Sequence, residues 1–181
     1  MITIKEKQKK AFEILSKEFK FKNVMQAPKL EKVLVSVGFG SIKDKKKVEL
    51  IADRIGKITG QKAALRVAKK SIASFKLREN DPIAYQITLR GPRMFDFLER
   101  LIHIALPRTK DFRGLNDKSI DQMGNFSFGI PEHTIFPETS DEELKDIFGL
   151  GVTVVVSSRK KEETKAFLEL IGFPFKKEGV K

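Results

Sequence analysis

Ile83-Ala84-Tyr85-Gln86-Ile87-Thr88-Leu89-Arg90 is the cleanest strand signature in the chain, and Gly91-Pro92 closes it. Alternate residues of an extended strand face opposite ways. Tyr85, Ile87 and Leu89 therefore share one side, while Gln86, Thr88 and Arg90 share the other. The first side requires an apolar cover and the second tolerates water, which is the signature of a sheet covered on one face only. Upstream, Pro28 precedes a second alternating run over 30–37, where Val33, Val35 and Val37 interleave with Lys32, Leu34 and Ser36. Gly38 and Gly40 end that run. A short strand is expected over 63–67, with Arg66 between the small Ala64 and Ala68, and others over 125–130, 133–136 and 152–157.

Between these runs the period changes from two to that of a helix. Residues 4–20 place Ile4, Ala11, Phe12, Leu15 and Phe19 on one side and lysines on the other. Residues 46–58 do the same with Val48, Ile51, Ala52, Ile55 and Ile58, and Gly60 stands where a left-handed cap belongs. Gly91-Pro92 opens a third helix whose stripe is Met94, Leu98, Leu101, Ile102 and Ala105, and Pro107 is expected to stop it. A fourth helix over 162–171 ends at Gly172. Long loops are expected at about 68–82 and 107–124, and an acidic patch, with Asp141, Glu142 and Glu143 suited to a helix start, at 138–146. No repeat or low-complexity segment interrupts the chain. Strands and helices mix without strict βαβ alternation. The fold class read from this is α+β, a single domain over residues 1–181 with a mixed, mostly antiparallel sheet, helices packed on one face and the other face open.

Composition narrows the function. The 181 residues carry 36 Lys and Arg against 24 Asp and Glu, a net charge of +12. Such a chain attracts polyanions and gains affinity by releasing their counterions. No apolar run approaches the roughly 20 residues of a membrane span, and the polar, lysine-rich first ten residues lack a secretion signal's apolar core. A cytoplasmic protein without membrane contact is expected. The absence of cysteine removes disulfides and thiolate chemistry.

A catalytic set does not assemble. His103 and His133 stand about 30 residues apart without a cysteine or a spaced acidic partner, and both read as structural, His103 partly buried in the third helix. Gly38-Phe39-Gly40 follows a strand but lacks the third glycine of a dinucleotide loop. Gly149-Leu150-Gly151 leads into a strand, the wrong order for phosphate at a helix start. No catalytic residue, metal or cofactor is expected, and no homo-oligomer. An RNA-processing enzyme would need a base, metal cluster or cofactor loop. A peripheral membrane protein would need a basic helix with large exposed apolar residues, and the stripe at 4–20 is narrow enough for the core.

Nucleic-acid chemistry is present instead. Residues 57–78 hold seven cations and no acid, spread over a helix end, a strand and a loop, so no single solvated helix face explains them. Within them, Lys69, Lys70, Lys76 and Arg78 bracket Phe75, a layout that supplies phosphate contacts and a stacking ring. Phe75 as a core anchor for its loop is the competing reading. The polar side of the strands offers Lys32, Ser36, Arg66, Gln86, Thr88 and Arg90. A flat polar sheet suits RNA, whose deep major groove resists side chains while its shallow groove, loops and 2′-hydroxyls remain accessible. After Pro107, Arg108, Lys110, Asp111, Phe112, Arg113 and Gly114 suggest an ordered, contact-making loop.

Several stretches carry a family resemblance. They are Pro28-Lys29-Leu30-Glu31-Lys32-Val33, Thr59-Gly60-Gln61-Lys62, Lys69-Lys70-Ser71-Ile72-Ala73, Phe75-Lys76-Leu77-Arg78 and Thr88-Leu89-Arg90-Gly91. Ala105-Leu106-Pro107-Arg108, Asp111-Phe112-Arg113-Gly114-Leu115, Ile135-Phe136-Pro137-Glu138 and Gly172-Phe173-Pro174-Phe175 continue the series. Together they resemble the bacterial family of large-subunit ribosomal protein number five, the binders of 5S ribosomal RNA. The resemblance implies a non-enzymatic 5S-RNA-binding domain in the central protuberance of the ribosome, contacting large-subunit ribosomal RNA and neighbouring ribosomal proteins. By motif it implies RNA contacts at Gln61, Phe75 and Thr88, to which electrostatics adds Arg66, Lys69, Lys70 and Arg90. Ser74, Lys76, Arg78 and Asn80 would lie near peptidyl-site transfer RNA. Arg108, Lys110, Asp111, Phe112 and Arg113 would face a protein of the small-subunit head in an intersubunit bridge. Two departures stand out: Ser36, where relatives commonly carry asparagine, and the acidic tip Glu79-Asn80-Asp81, which should loosen the transfer-RNA contact.

Overall fold

A computed structural model of the chain describes residues 3–42, 44–139, 147–158 and 160–176. Its elements are α1 (Ile4–Phe19), β1 (Leu30–Gly38), α2 (Lys45–Thr59), β2 (Ala64–Val67), β3 (Pro82–Leu89), α3 (Gly91–Arg100), β4 (Asn125–Ile130), β5 (Leu150–Val156) and α4 (Lys161–Ile171). The five strands form one sheet in the order β2-β3-β1-β5-β4. β2 runs antiparallel to β3, with Ala64 opposite Gln86 and Arg66 opposite Ala84. The α+β reading of the sequence holds.

Burial follows the alternation. Val33, Val35 and Val37 of β1, Ile87 and Leu89 of β3, and Leu150, Val152, Val154 and Val156 of β5 are buried. The residues between them are half-buried or exposed. Each fully buried aliphatic side chain contributes about 1.5–3 kcal/mol.

The chain separates into two compact units. One comprises Met1–Val33, Arg90–Phe128 and Thr153–Lys181. Its core joins Ile4, Ala11 and Leu15 of α1, Met94, Phe97 and Leu98 of α3, and Phe167, Leu168 and Ile171 of α4. Thr3 and Glu6 form a reciprocal capping box at the start of α1. From α1, the Lys7 ammonium donates to the Ile171 carbonyl at 2.7 Å, satisfying the last turn of α4 just before Gly172.

The other unit comprises Leu34–Leu89 and Gly129–Val152. Here α2 buries Ile51, Ile55 and Ile58, and Gly60 takes the left-handed cap at φ 67°. Arg54, on the same helix face, is also buried. Its guanidinium lies 3.3 Å from Nε2 of the fully buried His133, and the Phe148 amide donates to Nδ1 at 3.3 Å. The His133 ring stacks on Phe148 at 4.1 Å.

Three sequence expectations are corrected. Residues 133–136 form no strand: His133–Ile135 is a 3₁₀ turn, closed by the Phe136 amide donating to the His133 carbonyl at 3.1 Å. That turn buries His133, Ile135 and Phe136 together, which an alternating strand cannot do. Pro107 does not simply stop α3. The chain first widens into a π turn over Leu101–Ala105, with the Leu106 amide donating to the Leu101 carbonyl, and then tightens into a 3₁₀ turn over Leu106–Arg108. Proline lacks an N–H and crowds the carbonyl four residues back, so a regular helix cannot continue through it. His103 lies exposed on the π turn rather than partly buried. Of the acidic stretch at 138–146, residues 140–146, including Asp141, Glu142 and Glu143, lie outside the described residues.

Burial, and next the Arg54 charge, hold the His133 pKa below that of an ordinary histidine. A protonated ring would present N–H groups to two donors, so the folded chain favours the neutral form. In the unfolded chain His133 takes up a proton below about pH 6.5. Stability is therefore full above that value and falls as pH drops through it, by at most about 1.4 kcal/mol per pH unit. Urea unfolding between pH 7 and pH 5 should show this slope, and His133→Gln should lack that share of it.

Candidate nucleic-acid interface

In the unit built around α2, the polar side of β1 and β3 presents Ser36, Gln86 and Thr88. Ser36 is exposed, and Gln86 and Thr88 are half-buried. Gly151 of β5 keeps the ground beside Ser36 flat: a Cβ there would lie 3.2 Å from the Ser36 hydroxyl. Gln61, just beyond α2, donates its amide to the Thr88 carbonyl at 3.4 Å, which holds it at the edge of this surface.

Arg66 is the best-positioned cation of the surface. All of β2 is exposed. The Arg66 Nε donates to the Gln86 side-chain oxygen at 2.7 Å. A neutral amide orients the guanidinium without cancelling its charge, so the fork remains available to a planar anion. The strand alternation had shown Gln86 on this side, but its role as the Arg66 support was not apparent from sequence. Cross-strand register puts Gln86 opposite Ala64, two residues from Arg66, within diagonal reach.

The expected irregular loop at 68–82 is a compact, closed structure. Ile72 and Leu77 exchange backbone hydrogen bonds at 3.0 and 3.2 Å, and the Ala68 amide donates to the Asp81 carbonyl at 2.8 Å. Asn80 takes a left-handed conformation at φ 69° and its amide returns to the Ala68 carbonyl at 3.0 Å. The Asp81 carboxylate accepts the Arg78 amide at 2.8 Å and is thus engaged within the turn. Leu77 anchors this loop over a cleft shared with Phe39, Leu65 and Tyr85. Phe75 is not the anchor. At 71% exposure it stands in solvent, with Ser74, Lys76, Lys69, Lys70, Arg78 and Asn80 also exposed or half-buried.

The remaining sequence candidates belong to the other unit. Lys32 is half-buried on β1, and Arg90 is exposed at the start of α3. Arg108, Lys110, Asp111 and Arg113 are exposed and Phe112 half-buried. The expected loop at 107–124 is tied down at several points. The Leu115 amide donates to the Pro174 carbonyl at 2.8 Å, and the Lys176 amide to the Leu115 carbonyl at 2.9 Å. Asp117 accepts the Lys165 ammonium at 2.9 Å, the main cause of a carboxyl pKa held below its usual range. Gly114 allows the approach: with φ at 94°, a Cβ there would lie 2.7 Å from the Lys176 nitrogen.

Among the described residues, no cluster of His, Asp and Glu could hold a metal ion, and no helix is long and apolar enough to cross a membrane. What the described residues offer is exposed positive charge beside hydrogen-bonding groups and one projecting ring.

Comparison with known proteins agrees in kind. Residues 23–78 match the family model described as ribosomal protein L5, and residues 82–175 match the model that describes the C-terminus of the same ribosomal family. The large ribosomal subunit protein uL5 of Fervidobacterium nodosum is 44% identical over 179 residues, covering 98% of this chain and 97% of that one. Its counterpart in Trichlorobacter lovleyi is 47% identical over 93% of this chain and 95% of its own. That of Colwellia psychrerythraea is 48% identical over 90% and 91%.

The opposite placements of Phe75 and Gly114 separate contact from scaffold. Phe75→Ala should change the unfolding free energy by no more than about 0.5 kcal/mol, as expected of an exposed side chain. Gly114→Ala should lower it by about 1–3 kcal/mol, because the strained conformation and the clash act together. Denaturant unfolding of both variants checks the pair.

Proposed function

Because this chain belongs to the ribosomal protein L5 family, we propose that its open sheet face and basic loop dock on 5S ribosomal RNA. The chain is a structural, non-enzymatic constituent of the large ribosomal subunit, working in the ribosome among ribosomal RNA and ribosomal proteins. In the finer reading, Ser36, Gln61 and Thr88 meet sugars and base edges, and Lys32 also contacts the RNA. Arg66, Lys69, Lys70 and Arg90 meet phosphates, and Phe75 stacks on an unpaired base.

The observation that supports this reading most directly is Arg66. It is oriented by Gln86 at 2.7 Å, and its unit also carries an exposed ring at Phe75 and further exposed cations at Lys69 and Lys70. An arginine paired with an acid has its charge partly neutralised. This one is held by a neutral group, which suits an outside anion.

The two ordered loops take the remaining partners. Ser74, Lys76, Arg78 and Asn80 form the side that approaches peptidyl-site transfer RNA. The Arg78 amide fixes the Asp81 carboxylate within the turn but leaves its charge, so the acidic tip loosens the transfer-RNA contact. Arg108, Lys110, Asp111, Phe112 and Arg113 form the bridge to the small-subunit head. Large-subunit RNA and neighbouring central-protuberance proteins complete the set.

Binding of the intact chain to 5S ribosomal RNA should weaken steeply with salt, log K falling by about 0.7–0.9 for each phosphate neutralised. Lys69→Ala should reduce that slope by about one such increment. Phe75→Ala should leave the slope unchanged and cost about 1–3 kcal/mol at every salt concentration. Filter binding of both variants across salt, with duplex DNA as competitor, decides it: a flat salt response, or DNA competing as well as RNA, would sink the assignment.

A further inference from the structure

The segment after α1 carries chemistry that the sheet face does not use. Phe19-Lys20-Phe21-Lys22 interleaves rings and cations, and residues 17–29 hold Lys17, Lys20, Lys22 and Lys29 against a single acid, Glu18. The rings of Phe19 and Phe21 stack at 5.9 Å with 19° between their planes. A 3₁₀ turn at Val24–Gln26 follows, and it points its apolar residues outward: Val24 is 55% and Met25 76% exposed.

This turn is firmly held. The Asn23 carboxamide oxygen accepts the Met25 amide at 3.0 Å, and the Gln26 side-chain oxygen accepts the Lys22 amide at 2.8 Å. The Ala27 amide closes the turn on the Val24 carbonyl at 3.2 Å. Two side chains thus hold the Met25 thioether at the surface, where its sulfur accepts the Lys29 ammonium at 3.6 Å. That arrangement brings the folded chain no burial and suits a partner that supplies the missing apolar surface.

Beside Met25 opens a cleft of about 560 Å³, lined by Phe19, Phe21 and Met25 together with Ser157, Ser158 and Glu163. The Ser158 hydroxyl lies 3.0 Å from the Lys160 carbonyl and 3.3 Å from the Glu163 carboxylate, its one proton shared between them at the start of α4. With its oxygen already bonded to Lys22, the Gln26 side chain keeps its NH₂ as a donor. Lys20 lines the same cleft. Flat apolar walls, a carboxylate, an amide donor and a cationic rim are what an unstacked base with its phosphate requires.

We propose that this cleft receives a single unpaired guanosine of an RNA strand, stacked against Phe21 and Met25, with its Watson–Crick edge on Glu163. Guanine alone sets two N–H donors side by side on that edge, matching the two oxygens of a carboxylate. Adenine and cytosine place a ring acceptor next to their amino group, which would face the carboxylate's lone pairs. Uracil offers one donor between two acceptors. Gln26 or Lys20 then donates to the guanine O6. The inference rests on the RNA-binding reading only for its class of partner, since every residue it uses lies in the other unit from Arg66, Lys69 and Phe75.

The test uses the intact chain with ¹³C-labelled methionine and isoleucine methyls, titrated with hexauridine and with the same hexamer carrying one central guanosine, adenosine or cytidine. The Met25 methyl should shift at roughly tenfold lower concentration for the guanosine hexamer than for the others, as expected of donors shared with a charged acceptor. The Ile104 methyl, 41% exposed and remote in sequence, should stay put. Glu163→Gln should erase the guanosine advantage while leaving the buried methyl signals unchanged, and Phe21→Ala, read at the Met25 methyl, should weaken every hexamer. Lys69→Ala should lose affinity for 5S ribosomal RNA without touching the guanosine preference, so failure on the sheet face and failure here read out separately. The proposal is overturned if Met25 and Ile104 shift alike, if no hexamer moves Met25, or if Glu163→Gln keeps the preference. An acidic peptide that moves Met25 where RNA does not would also overturn it, in favour of a protein partner.

Discussion

Val35 and Val37 of β1, together with Ile87 and Leu89 of β3, must leave water on the same side of their strands, and most other features depend on that burial. A strand cannot hide one side without turning the other outward. Burying these aliphatic residues therefore fixes Ser36, Gln86 and Thr88 on the opposite side. A slip of one residue would reverse both sides at once, so the register that stabilises the core also sets the polar surface. Arg66 inherits its position from the same constraint, because its support, Gln86, alternates with Ile87.

The loops are closed for local reasons. Asn80 and Gly114 each take a left-handed backbone conformation, and each lets the chain close on a distant backbone group, Ala68 in one case and Lys176 in the other. Long cationic loops would ordinarily lose conformational entropy on meeting a partner. The backbone hydrogen bonds that close these loops supply part of that ordering in advance. Preorganised cations beside an exposed ring are well suited to a structured polyanion, whereas a mobile basic tail would bind any polyanion about equally.

Polar groups in the interior take the opposite course. Arg54 and His133 lie buried among apolar neighbours, with Phe148 stacked on the imidazole. Their contact joins a helix to a turn 79 residues later in the chain. Burying these groups makes part of the fold sensitive to acid. No such penalty applies to the exposed cations of the surface, which remain solvated.

From the sequence alone came the elements whose causes are local. The alternation at 30–37 and 83–90, the helical stripes at 4–20 and 46–58, and the caps at Gly60 and Gly172 depend on near neighbours and on backbone sterics. So do the basic, acid-free run at 57–78 and its bracketing of Phe75. Tertiary structure decided what depends on distant partners. His133–Ile135 became a turn because Arg54 and Phe148 surround His133. Leu77 rather than Phe75 became the loop anchor because Phe39, Leu65 and Tyr85 make room for it. Gln86 came to orient Arg66 through cross-strand register. Periodicity and propensity are properties of short segments, but burial and hydrogen-bond partnership are pairwise facts about residues that only folding brings together.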